Sequence, residues 1–232
     1  MPLFISHISF LKKFWDENQY SMDFFHDAVF GTLLSDIRYI TKQNREITHL
    51  TNTIQSSQSL MTYNELFRNI LERSNSIINI SNISSEKLLF FKIGFSFHVV
   101  LDKWWSKQIY FPSDFERFGV CLKFMNDILL KQQIDNCKLD LSQRLVYEIN
   151  FLNIDSEIIK KWYDFVFWYI RKKPTLKNIE EILITSNLFK PVMAKKITEE
   201  INEISNNKEI IDKINQIYES FTWHDIKNQF VA

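Results

Sequence analysis

Glycine and proline are nearly missing from this chain: 232 residues hold three of the one and four of the other. Tight turns and left-handed backbone positions rely on those residues, so the shortage argues against a many-stranded β fold and for long helices. Cysteine is as scarce. Cys121 and Cys137 lie in amphipathic stretches without CxxC spacing, which points to two reduced thiols and away from a disulfide framework or a cysteine zinc site. Net charge is absent too, since 28 basic and 28 acidic residues cancel; the electrostatic footprint of a nucleic-acid or anionic-membrane binder is missing. No apolar run reaches the ~18 residues that span a bilayer, the longest being broken by Lys92, Asp102 and Lys103. At the start, Lys12 and Lys13 follow the apolar run instead of preceding it, and no small-residue cleavage site appears. The expectation is a cytoplasmic protein with no signal peptide and no transmembrane segment.

What is abundant is helical in pattern. Apolar residues at Phe4, Ile8, Leu11 and Trp15 predict a helix over 3–16 with His7 on its apolar half. A second helix is expected over 21–34, capped by Ser21. The polar stretch 36–59 has no sustained period and reads as a long loop, of the kind that compact domains usually keep for function. Helices are then expected over 62–80 and 84–108. The latter is apolar nearly all round and reads as the central buried helix. Ser113 and Glu116 form a capping box for a helix reaching 133, and further helices start at Ser142, Ser156, Thr175 and Pro191, over 207–220, and after Thr222. The fold class expected is all-α, a multi-helix bundle in one domain over 1–232. Charges thicken after Pro174, so 175–232 is expected as a helical layer packed through Trp162, Phe165, Phe167 and Trp168. Lys195, Lys196, Glu199 and Glu200 in it read as a solvated face.

Two segments carry the possible chemistry. One runs from Gly31 through Asp36 and Arg38 to Arg45 and His49; the other runs from Gly94 through His98 and Asp102 to Trp105. His98 and Asp102 stand four apart, so on a helix both project from one face about 5–6 Å apart at Cβ. Their neighbours include Phe95, Phe97, Leu101 and Trp104, too apolar to leave a carboxylate ionised without a partner. A metal ion is one such partner. Each of the five histidines (His7, His26, His49, His98, His224) also has the ordinary reading of a hydrogen-bonded core imidazole. His224 is expected to be structural. His26-Asp27 matches the HD dyad of metal phosphohydrolases in two letters, a third reading of the chain.

Four places in the first half carry a resemblance. Met1-Pro2-Leu3-Phe4-Ile5-Ser6-His7, Gly31-Thr32-Leu33-Leu34-Ser35-Asp36-Ile37, Thr48-His49, and Gly94-Phe95-Ser96-Phe97-His98 with Asp102 and Trp105 occur in that order. In this the chain resembles the zinc-dependent phospholipase C and P1-type nuclease superfamily, in particular its small intracellular bacterial branch. That resemblance implies an all-α fold and a zinc-like ion held by Asp36, His49, His98 and Asp102, with Asp102 bridging to a second ion in multinuclear members. It implies hydrolysis of a small soluble or lipid phosphoester. Arg38 and Arg45 would then clamp phosphate oxygens or pair with nearby carboxylates. The chain departs from the pattern at Ser35, where proline is usual, and has no histidine between His98 and His224. A trinuclear centre therefore cannot be assembled in the same way; His7, Asp114 and Asp127 are the candidates for a second ion. The competing expectation is a non-catalytic helical protein whose same four residues form a structural metal site or a buried His/Asp cluster.

Overall fold

A computed structural model describes residues 3–51, 61–110, 118–137, 139, 148–187 and 189–229. The chain is an all-α, multi-helix bundle. Its helices are α1 (Phe4–Glu17), α2 (Phe25–Leu34), α3 (Arg38–Thr41), α4 (Arg45–Thr48), α5 (Tyr63–Ile77), α6 (Ser85–Trp105), α7 (Gly119–Asn136), α8 (Ser156–Arg171), α9 (Ile179–Thr185), α10 (Pro191–Ser205), α11 (Lys208–Ser220) and α12 (Trp223–Ile226). Among the described residues no helix is long and apolar enough to cross a membrane.

Helix α6 is the expected central element. Ser84 caps it by accepting from the Lys87 amide, and it is buried almost without interruption from Phe91 to Trp105. Its closest partner is α2, and the approach is set by Gly31 and Gly94. A methyl on Gly31 would overlap the backbone of Phe91, and one on Gly94 the backbone of Ala28, so only hydrogen fits where the helices cross. Thr32 Oγ1 tightens the crossing by donating to the Gly94 carbonyl at 2.7 Å. Helix α8 lies against the end of α2, where Trp162 Nε1 and the Tyr163 hydroxyl donate to the carbonyls of Leu33 and Phe30 at 2.8 and 2.7 Å. The first of these bonds satisfies a last-turn carbonyl that the helix itself leaves free.

The N-terminus of α1 is closed from a distance. Leu3 offers no side-chain cap; Asp127 on α7 accepts instead from the amides of Ile5 and Ser6 at 3.2 and 2.8 Å and from the Ser6 hydroxyl at 2.5 Å. A carboxylate at a helix N-terminus is favoured by the free amides and the helix dipole. Burial pushes the Asp127 carboxyl up to about 7, against the Ser6 and Ile5 bonds. Glu17 does the same for α12, accepting from the amides of Trp223 and His224.

Three expectations are corrected. The stretch after Asp36 is not a plain loop: a 3-10 turn over Ser35–Ile37 leads into α3 and α4, with Lys42 left-handed (φ 59°) between them and Asn44 capping the second by accepting from the Glu46 amide. These helices are too short to show a period. Residues 52–60 lie outside the described residues. The helix expected over 62–80 stops at Ile77, and a strand, β1 (Ile78–Ser81), pairs antiparallel with β2 (Glu148–Phe151) in the register Ile78 to Phe151 and Ile80 to Ile149. Alternation of apolar and polar residues in Ile78-Asn79-Ile80-Ser81 and Glu148-Ile149-Asn150-Phe151 suits a half-buried two-stranded ribbon. The helix expected from Ser142 therefore gives way at Glu148, its first residues and the Ser113–Glu116 capping box lying outside the described residues. In the C-terminal third, α10 packs on α7 and α9, and α12 on α1.

Because backbone meets backbone at the crossing, Gly94→Ala and Gly31→Ala should each cost about 3 kcal/mol and lower Tm by roughly 6–12 °C. Melting curves of both variants check this; wild-type stability in either would mean that the helices are not so closely apposed.

Candidate metal centre

Five polar side chains from four parts of the chain meet in one place. His7 comes from the second turn of α1, Asp36 from the 3-10 turn after α2, His49 from the C-terminal end of α4, and His98 and Asp102 from successive turns of α6. All five are at most 2 % exposed. His49 Nε2 lies 3.3 Å from His98 Nε2 and 3.1 Å from Asp102 Oδ2. His98 Nε2 is 3.5 Å from that same oxygen and 4.0 Å from Asp36 Oδ1. His7 Nε2 approaches the other Asp102 oxygen to 3.3 Å, and its ring stacks on that of His98 with centroids 3.9 Å apart. Thus the four residues that the resemblance gave to one ion are brought together, and His7, a candidate for a second ion, lies among them.

Second partners orient the rings. His7 Nδ1 sits 2.9 Å from the Leu3 carbonyl, an acceptor only, so Nδ1 carries the proton and Nε2 presents its lone pair to the cluster. His49 Nδ1 is 3.1 Å from the Thr48 hydroxyl, which in turn lies 3.2 Å from the Arg45 carbonyl. If that hydroxyl donates to the carbonyl, it accepts from Nδ1 and leaves His49 Nε2 unprotonated as well. Such outer bonds are how metal-binding imidazoles are usually held.

The donor set fits a zinc-class ion. Bonds of about 2.0–2.2 Å at tetrahedral angles place ligand atoms about 3.3–3.6 Å apart, close to the separations among His49, His98 and Asp102. The residues left unsatisfied point the same way: His7 Nε2, Asp36 Oδ1 and Asp102 Oδ1 are buried without a hydrogen-bond partner among the described residues, an arrangement that is costly unless something else binds them. Nitrogen and carboxylate oxygen together suit zinc, with iron, nickel and manganese compatible by ligand type.

Arg45 and Arg38 flank the cluster on its solvent side. Arg45 Nη2 donates to Asp102 Oδ2 at 2.6 Å, and Arg38 Nε lies 3.7 Å from Asp36 Oδ1; their side chains are 32 % and 20 % exposed, against 1–3 % for the carboxylates. Burial raises the Asp102 carboxyl, but His98, Arg45 and the adjoining His49 and His7 rings outweigh it and hold it well below the ordinary range. Burial likewise opposes Asp36, which His98, His7 and His49 hold below its ordinary value. His7 is lowered by burial and by His98. Burial, with Arg45 and His98, lowers His49 to about 4 against the pull of the nearby Asp102 carboxylate.

Other candidates fall elsewhere. Asp127 caps α1, and Asp114 lies outside the described residues. His26 stacks on Phe30 at 4.9 Å, and neither it nor Asp27 belongs to the converging set. His224 is exposed on α12, beside Lys227. Lys123 and Tyr39 were not foreseen: Lys123 Nζ on α7 donates to the Tyr39 hydroxyl at 3.2 Å, and Tyr39 directly follows Arg38. Nothing in the local sequence links two residues that far apart.

The lowered histidines give the metal-free protein a defined pH dependence. Between the ordinary histidine value of 6.5 and about 4 the unfolded chain takes up a proton that folded His49 refuses, so stability falls as pH is lowered through that window. His49 alone accounts for a loss of order 3 kcal/mol. The depressed carboxylates add a further loss below their ordinary value of 3.8. Urea unfolding at pH 7, 5.5 and 4.5 should show the decline and His49→Gln should flatten it; equal stability at the three pH values would contradict the burial of neutral imidazoles.

No family model, curated protein or solved structure matches the chain, so the reading of this cluster rests on its own geometry.

Proposed function

We propose that the protein is a metal-dependent phosphoesterase in which His7, Asp36, His49, His98 and Asp102 hold a divalent ion of the zinc class and Arg38 and Arg45 receive the phosphoryl oxygens. The observation that carries this reading is the convergence of three imidazoles and two carboxylates in two triads that share His98, with His7 Nε2, Asp36 Oδ1 and Asp102 Oδ1 unsatisfied among the described residues. When bound, such an ion brings the pKa of a coordinated water to about 7 and polarises a phosphoryl oxygen.

Charge supports the choice of substrate. The carboxylates of Asp36 and Asp102 are balanced by the guanidiniums of Arg38 and Arg45, so a divalent ion leaves two positive charges in surplus. A phosphoryl dianion offsets them; a neutral ester or amide does not. The Nε–H groups of both arginines are buried without a hydrogen-bond partner among the described residues, which leaves donors for phosphate oxygens. Arg45 has a second task, since its bond to Asp102 Oδ2 fixes that carboxylate between His49 and His98. The same bond also favours a non-catalytic reading. A guanidinium seated on the shared oxygen closes the cluster, as in a structural site or a metal-free hydrogen-bond cluster.

Metal analysis followed by turnover separates the two. Metal-loaded protein should hydrolyse an aryl phosphomonoester or phosphodiester, and Asp102→Asn should reduce kcat/KM by about 100-fold or more. Arg38→Ala should raise KM by about tenfold if the guanidinium binds substrate, and should mainly lower Tm if it only pairs with Asp36. Chelation should lower Tm, because an ion bound only by the folded state adds to its stability. A fully metallated sample without turnover on any phosphoester would leave the structural reading in place.

A further inference from the structure

Beside the cluster lies a cavity of about 200 Å³ whose lining is almost wholly apolar, with Leu3, Tyr39, Phe124, Tyr169, Leu183 and Phe189 among its walls. It is built by the start of α1, by α3, and by α7, α8 and α9, which is to say largely by the half of the chain that supplies no candidate ligand. It adjoins the cluster through two of its walls. Leu3 lends its carbonyl to His7, and Tyr39 follows Arg38, whose guanidinium lies 4.7 Å from the Tyr39 ring centroid. Two further cations gather on this tyrosine: Lys123 Nζ donates to its hydroxyl at 3.2 Å and Lys42 Nζ to its carbonyl at 2.7 Å. An apolar chamber with three cations grouped at one wall has the complementarity of an anion bearing a hydrocarbon group.

We propose that this cavity takes the hydrocarbon part of the substrate, an aryl group or an unbranched alkyl chain, with the phosphoryl group on the Arg38 side of Tyr39. A dry apolar cavity of about 150 Å³ accepts benzene, so by proportion this one holds about eight carbon atoms. A sugar or nucleobase there would leave its polar edges without partners. The substrate class is therefore a phosphoester of an aryl or medium-length alkyl alcohol. The phosphoryl half of this statement rests on the phosphoesterase reading; occupancy of the cavity by hydrocarbon does not.

A series of n-alkylphosphonates, methyl to dodecyl, titrated calorimetrically into metal-loaded protein tests it. Affinity should rise about fourfold per methylene and level off near eight carbons. Val120→Phe and Ser186→Phe, which fill the cavity from α7 and from the end of α9, should remove that gain and leave methylphosphonate binding unchanged. Uncharged ethylbenzene added to metal-free wild-type protein should shift the methyl resonances of Ile182 and Leu183. A flat series in the wild type, with methylphosphonate still bound and no response to ethylbenzene, overturns the cavity's assignment while the phosphoesterase reading stands. Binding of ethylbenzene with no phosphonate bound at all upholds the hydrocarbon site and removes the phosphoesterase reading instead.

Discussion

The close approach of α2 and α6 at Gly31 and Gly94 is the constraint on which the rest depends. With hydrogen as the only side chain at both positions, the helix backbones touch and Thr32 bonds to the Gly94 carbonyl. Everything proposed for chemistry is then measured from that contact. His98 and Asp102 lie one and two turns beyond Gly94, and the turn at Ser35–Ile37 brings Asp36 back over α6 to within 4.0 Å of His98. Helix α8 holds the same end of α2 through Trp162 and Tyr163. A change at the crossing therefore acts on the cluster as well as on stability, since interiors packed this densely transmit small displacements.

Five ionisable side chains at most 2 % exposed are expensive for a fold to keep. Two features limit the cost: the imidazoles are held toward the neutral form at His7 and His49, and each carboxylate has a guanidinium beside it. They do not remove it, because lone pairs on His7, Asp36 and Asp102 still face inward without hydrogen-bond partners among the described residues. An all-apolar packing of the same volume would have been the cheaper solution. Retention of the polar one is the observation from which the proposed ion is argued.

Legibility from sequence followed the range of the interaction that fixes each feature. The long helices showed through their own periodicity, and α6 through its almost unbroken apolar surface. Asp36, His49, His98 and Asp102 were readable because order and spacing along the first half of the chain bring them to notice, and the pair on α6 shares one helix face. Helices α3 and α4 were not, since four residues cannot display a period. The β1–β2 pairing was missed because each strand is only four residues long and its partner is distant. Asp127 appeared as a possible ligand when it is a cap on α1; a carboxylate that meets amides 121 and 122 positions away leaves no trace in its local sequence. Tyr39 and Lys123 were invisible for the same reason.

That division also separates two kinds of information in the chain. The candidate ligands come from the region up to the end of α6, where the resemblance lies, and the phosphoesterase chemistry proposed for them would be open to many phosphoesters. What selects among them must be shape and polarity next to the cluster. In this fold the neighbouring space is walled mainly by α7, α8 and α9, with only Leu3, Phe4, Tyr39 and Lys42 contributed by the first half. A resemblance confined to the first half can thus speak for a reaction type and remain silent about the substrate. The later helices supply most of the apolar wall beside the cluster and one of the three cations on Tyr39, and under the proposed function that wall is a basis for discrimination that the ligand residues alone do not have.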